Sequence, residues 1–117
     1  MKKVYYLKTC DTCRRILKEL NLPSDFELQD IKSNVITVDQ LDHMQALSGS
    51  YEALFSKRSQ LYKKLNLKEQ DLTESDFKHY ILEHYTFLKR PVVIIDTSIF
   101  IGNAKKTVES IKLALDK

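Results

Sequence analysis

The chain has 117 residues, 43% hydrophobic and 30% charged, with only two Gly and two Pro. These proportions suit one soluble domain around one core and leave little room for long flexible linkers. Net charge is +3, from 19 basic and 16 acidic residues, an excess too small to imply direct nucleic-acid binding; no segment approaches the apolar length of a membrane span.

In chain order, Lys3–Leu7 predicts a buried strand. Met1-Lys2-Lys3 is basic, but only Val4-Tyr5-Tyr6-Leu7 intervene before Lys8, too few for a signal-peptide core. The expected compartment is the cytoplasm, where paired cysteines are more often redox or metal groups than structural crosslinks. Such a pair follows at Cys10-Asp11-Thr12-Cys13, and these are the only cysteines in the chain. Residues 11–21 predict a helix with Ile16, Leu17 and Leu20 on one face, stopped at Asn21-Leu22-Pro23. Asp11 and Thr12 read as N-terminal capping and loop residues. A strand feeding CxxC at a helix start is the layout of a thiol-redox site. The positive end of the helix and its free N–H groups favour thiolate, the reactive form.

Phe26–Ile31 alternates apolar and polar residues, as a second strand does. Thr37-Val38-Asp39-Gln40 reads as a capping box opening a helix through Leu47, broken by Ser48-Gly49-Ser50. Tyr51–Phe55 and Ser59–Leu65 predict short helices. Thr73-Glu74-Ser75-Asp76 caps another, whose apolar positions Phe77, Tyr80, Ile81, Tyr85 and Leu88 keep helical spacing up to Pro91. Val92-Val93-Ile94-Ile95 is a β-branched run suited to a central strand. A turn at Asp96-Thr97-Ser98 and the strand Ile99–Ile101 complete a hairpin. A last helix starts near Asn103, with Ala104, Val108, Ile111 and Leu115 inward. The order βαβ, helices, ββα predicts an α/β fold. Its first βαβ requires a parallel strand pair and a right-handed crossover.

This order, the CxxC at the first βα junction and a proline entering the third strand look like a thioredoxin-like fold: a mixed four-stranded sheet with an inserted helical block at about 37–88, all within a single domain over 1–117. The inserted helices make the likeness more specific. The chain resembles the ArsC/Spx family, the glutaredoxin-coupled arsenate reductases and their transcription-regulating relatives. The motifs carrying the resemblance are Cys10-Asp11-Thr12-Cys13-Arg14, Phe55-Ser56-Lys57-Arg58-Ser59, Leu88-Lys89-Arg90-Pro91-Val92-Val93-Ile94 and Ile101-Gly102-Asn103.

The resemblance implies that Cys10 is the nucleophile and that Arg14, Arg58 and Arg90 hold an oxyanion. It also implies that Pro91 is a cis-proline beside the site. Two positions depart from the reductase pattern. Asn103 stands where the reductases carry a further arginine, and Cys13 stands where the best-known reductases have serine. A Cys13 thiol and the stretch Lys57–Leu67 look more like Spx.

Three functions are compatible with these residues. In an arsenate reductase-like enzyme, Cys10 attacks an arsenic oxyanion or a disulfide sulfur, and glutathione, glutaredoxin or Cys13 resolves the adduct. In an Spx-like regulator, a Cys10–Cys13 switch controls binding to RNA polymerase, and the basic segment 57–64 serves docking. A general thiol oxidoreductase, served by glutaredoxin or thioredoxin, keeps the Cys10 chemistry without arsenate. No bound cofactor is expected. Zinc would need four ligands, and His43, His79 and His84 lack a convincing spacing for a second pair. Tyr6 and Phe100 are candidates to border the site.

Overall fold

Residues 1–116 of the chain are described by a computed structural model. The elements in order are β1 (Lys2–Tyr6), α1 (Asp11–Leu20), β2 (Glu27–Asp30), α2 (Val38–Ser48), α3 (Gln60–Lys64), α4 (Glu74–Glu83), β3 (Val92–Ile95), β4 (Ser98–Ile101) and α5 (Lys105–Leu115). Three single 3-10 turns, Glu52–Leu54, Leu67–Glu69 and Tyr85–Phe87, interrupt the helical stretch. The chain divides into two compact units. One comprises Met1–Val35 together with the residues from Arg90 onward, and the other is Ile36–Lys89. No helix among the described residues is long and apolar enough to cross a membrane.

The first unit is a four-stranded sheet in the order β2-β1-β3-β4. β1 pairs parallel with β2 and antiparallel with β3, and β3 pairs antiparallel with β4. β1 and β3 therefore occupy the two interior positions, and the continuous apolar run of β3 suits burial on both faces. On one face, Val4 and the Val93 opposite it pack with Ile16 and Leu20 of α1, Phe26, and Val108 and Ile111 of α5. Each such fully buried side chain contributes roughly 1.5–3 kcal/mol. On the opposite face Tyr5, Val92 and Ile94 are also buried. Lys3 shares that face: its Nζ pairs with the exposed Glu27 carboxylate and lies 5.3 Å from the centre of the Tyr5 ring. Burial, and then the Glu27 charge, pushes the Tyr5 hydroxyl up to about 12.

Two details differ from the sequence pattern. Leu28 pairs with Val4 but is 51% exposed on the edge strand, whereas polar Gln29 is buried beside Tyr5 and donates to the Asn34 carbonyl at 2.9 Å. Period-two alternation thus reverses on β2, because an edge strand receives less cover than the interior one it pairs with. Ala104 is not inward. It is the exposed N-cap of α5, and Val108, Ile111 and, in part, Leu115 carry the packing.

The second unit is held by local caps and by an aromatic cluster. Thr37/Gln40 and Thr73/Asp76 form complete capping boxes at α2 and α4, each satisfying orphan N–H groups at a helix start. Gly49 ends α2 at φ 93, a left-handed conformation that favours glycine. Phe55 stacks on Phe87 at 5.3 Å and meets Phe77 at 4.8 Å and Tyr62 at 5.8 Å. α4 stops at Glu83 rather than running to Leu88. His84 is extended (φ −151, ψ 135), and its Nδ1 accepts the Thr86 N–H that opens the Tyr85–Phe87 turn. Tyr85 and Leu88 keep helical spacing in the sequence, but Tyr85 stacks on His84 at 4.5 Å and Leu88 forms an antiparallel bridge with Phe55. Within Tyr51–Phe55 the short helix is a 3-10 turn at Glu52–Leu54, and Ser59 is the cap of α3, its hydroxyl accepting from Leu61 N–H.

Candidate thiol site

Antiparallel pairing builds the site. Tyr5 lies opposite Val92, so the end at which the chain leaves β1 is the end at which it enters β3. Cys10 follows the first strand, and Arg90-Pro91 precedes the second. Residues about eighty positions apart in sequence are thereby brought to one edge of the same unit.

Leaving β1, the chain makes a tight turn closed by the Cys10 N–H bonding to the Leu7 carbonyl at 3.0 Å. Cys10 is the N-cap of α1, with extended backbone at φ −90, ψ 114, and its carbonyl accepts from Arg14 N–H at 3.1 Å. This corrects the expected capping role of Asp11 and Thr12, which lie inside the first turn. A cysteine in the cap position lies at the positive end of the helix, which favours its thiolate.

The two thiols are free and unequal. Cys10 is partly exposed and Cys13 fully buried. Burial works against the Cys10 thiolate. The Cys13 N–H, the Cys13 thiol, the Arg90 charge and the Thr12 N–H outweigh it and bring the Cys10 thiol below its ordinary range. For Cys13, burial dominates; with the repulsion of a Cys10 thiolate added, it pushes the thiol up to about 11, despite a backbone contact from Leu7 and the Arg90 charge. The Cys10 thiol is thus biased toward thiolate and the Cys13 thiol away from it.

Arg90 is half-buried and its charge acts on both sulfurs. The Arg90-Pro91 peptide bond is cis, Pro91 is buried, and its carbonyl accepts the Gly102 N–H at 2.9 Å. Gly102 sits at φ 93 just past β4, which a side chain would strain. Arg14 points elsewhere in this structure: its guanidinium pairs with Asp11 on the exposed side of the first turn. Arg58 belongs to the second unit, exposed between the Phe55 bridge and the α3 cap. Its segment is tied on both sides, by Ser56 N–H to the Phe87 carbonyl at 2.7 Å and by Ser59 Oγ donating to Thr86 Oγ1 at 3.0 Å. Asn103 is exposed, and Tyr6 and Phe100 are partly buried in the first unit. Among the described residues no cluster of three His, Cys, Asp or Glu side chains could hold a metal.

The model of the ArsC family matches residues 5–111. The chain belongs to the ArsC family. Within the family it is 31% identical over 107 residues to the global transcriptional regulator Spx 2 of Bacillus anthracis, a match spanning 87% of this chain and 79% of the relative. The arsenate reductase of Vibrio cholerae superposes with a TM-score of 0.76 at 23% identity, over 94% of this chain and 98% of the other. An ArsC family related protein from Bacteroides fragilis also gives 0.76, at 22% identity over 94% and 96%. At such identities the structural likeness speaks for the fold alone.

The sequence pattern pointed to Cys10, Cys13 and Arg90 but not to the residues that support them. Asp30, whose carboxylate accepts the Lys8 N–H just before Cys10 at 3.1 Å, lies in a strand that carries no motif. Likewise, Thr86 and His84 hold the Arg58 segment from a stretch that reads as plain amphipathic helix.

Proposed function

We propose that this protein is a thiol-dependent oxidoreductase in which Cys10 is the nucleophile and Cys13 the resolving thiol. The carrying observation is the opposed bias of the two sulfurs, Cys10 below and Cys13 above the ordinary thiol value, with Arg90 beside both. The Cys10 thiolate attacks an oxidised sulfur, forming a mixed disulfide and expelling the other sulfur as thiolate. Cys13 then gives up its proton and attacks Cys10 Sγ, leaving a Cys10–Cys13 disulfide and freeing the second product thiol. An external dithiol or two glutathione molecules return the two electrons.

With arsenate as substrate, Cys10 displaces one oxygen as water and forms a thiol–arsenic(V) adduct. A second thiol attacks Cys10 Sγ, so that arsenic leaves as arsenic(III) and the two sulfurs become the disulfide. Arg90 and the α1 N–H groups offset negative charge in either case. Glutathione with glutaredoxin, or thioredoxin, would supply the electrons in a cytoplasmic setting. Purified protein with glutathione, glutaredoxin and arsenate or a small disulfide tests this. Turnover that disappears in Cys10→Ser is the expected result, and turnover that survives this substitution overturns the reading.

A second reading is favoured by the relatives named as global transcriptional regulators, which match most of this chain. In it, the same Cys10–Cys13 pair switches binding to RNA polymerase, with the basic 57–64 surface as the docking face. Capture of polymerase in only one redox state supports it; failure to capture polymerase in either state excludes it.

A further inference from the structure

Asp30 closes β2, and its carboxylate is fixed before it reaches the thiol loop. Oδ2 accepts from Ser33 Oγ at 2.9 Å, and Oδ1 lies 3.5 Å from the Lys32 N–H. The main chain around it is pinned as well: Ile31 N–H bonds to the Tyr6 carbonyl and Asn34 N–H to the Asp30 carbonyl, each at 2.9 Å. From this platform Oδ1 accepts the Lys8 N–H at 3.1 Å. Lys8 is the second residue of the Leu7–Cys10 turn, whose own closing bond runs from Cys10 N–H to the Leu7 carbonyl. A short turn with a few backbone bonds has little stiffness of its own, so a charged acceptor on its outward N–H governs its geometry.

We propose that Asp30 is a positioning residue, which by accepting the Lys8 N–H sets the turn that delivers Cys10 Sγ to the N–H groups opening α1. The proposal rests on reading Cys10 as the activated thiol. Asp30 touches neither sulfur; it acts through the backbone. The Lys8 N–H holds the Asp30 carboxyl below its ordinary range, with the Ser33 and Lys32 contacts assisting against some burial, so Asp30 is anionic wherever Cys10 titrates. That gives the proposal a distinguishing sign. A nearby negative charge by itself opposes thiolate formation, so removing it would lower the Cys10 midpoint. Loss of positioning takes Sγ off the helix N–H groups and raises the midpoint.

The experiment is the pH–rate profile of Cys10 alkylation by iodoacetamide in the full chain, on a Cys13→Ser background so that one thiol reports. Asp30→Ala is expected to move the midpoint upward by about half a pH unit. Asp30→Asn keeps an acceptor oxygen without the charge, and its midpoint is expected at or below that of the parent. An Asp30→Ala midpoint at or below the parent value overturns the proposal. Because Asp30→Ala could fail to fold, the parent protein supplies a second measurement. Its Lys8 amide proton shift is expected to follow the Asp30 carboxyl titration, and a Lys8 amide indifferent to that titration overturns the proposal too. An ordinary thiol midpoint in the parent defeats the activated-thiol reading itself, and so is distinguishable from failure of the Asp30 assignment alone.

Discussion

The two units of this chain are organised on opposite principles. In the sheet unit, the chemistry depends on long-range pairing: Cys10 and Arg90 meet because β1 and β3 run antiparallel in a register that sets Tyr5 against Val92. In the helical unit, order comes from neighbours. Capping boxes four residues wide start α2 and α4, and Phe55, Phe77 and Phe87 fill the space between short segments. The first unit is therefore vulnerable where charges and N–H groups meet a sulfur, and the second where volume is removed. A site that tunes a thiol needs precise placement, which paired strands supply. A scaffold of short helices needs only packing and caps.

The sharpest way to separate the units is Cys10→Ser. It should abolish alkylation at position 10 and any turnover while leaving the thermal midpoint nearly unchanged, since Cys10 is only partly buried; peptide mapping after alkylation and a melting curve check both halves. Phe55→Ala should do the reverse. Loss of a fully buried ring with three aromatic neighbours should cost about 3–5 kcal/mol in denaturant unfolding.

Arg90→Gln is expected to slow Cys10 alkylation at neutral pH by about three- to tenfold, by removing the positive charge that favours the thiolate. The alkylation midpoint should rise correspondingly, and an unchanged profile would remove Arg90 from the site. Alkaline pH probes the same unit through its buried acids. Cys13 is raised from 9.0 to about 11 and Tyr5 from 10.0 to about 12. Between the ordinary and raised values the folded state binds more protons than the unfolded state, so stability is complete below the ordinary values and falls as pH rises through the raised ones. Urea midpoints at about pH 8.5 and about pH 11 should show the loss, and Cys13→Ala should make it shallower. The smallest effect belongs to the caps. Thr73→Ala should cost about 1 kcal/mol by freeing the Asp76 N–H, with no change at the thiols.

Much of this comparison is legible before any coordinates. Thr37/Gln40 and Thr73/Asp76 announce two helix starts because a capping box is a local bond pattern, complete within four residues. The run Val92–Ile95 announces an interior strand because only two-sided burial favours four β-branched residues in succession. Helical spacing misleads at Tyr85 and Leu88, since residues with that period also fit a 3-10 turn followed by a bridge, and the Phe55–Phe87 stack decides between the two. Alternation misleads at Leu28 and Gln29, because exposure on β2 depends on its place at the sheet's edge.

The family, the order of elements and the pair of thiols follow from residue types at short spacing. How the two sulfurs differ depends on packing. That difference comes from the helix N–H groups over Cys10, the burial of Cys13 and the reach of Arg90 across the β1–β3 pairing. A thiol's acidity is set by the charges, hydrogen bonds and burial within a few ångströms of the sulfur. Here the hydrogen-bonding groups Leu7, Thr12 and Cys13 are close in sequence, whereas the Arg90 charge and the burial of Cys13 arise only on folding.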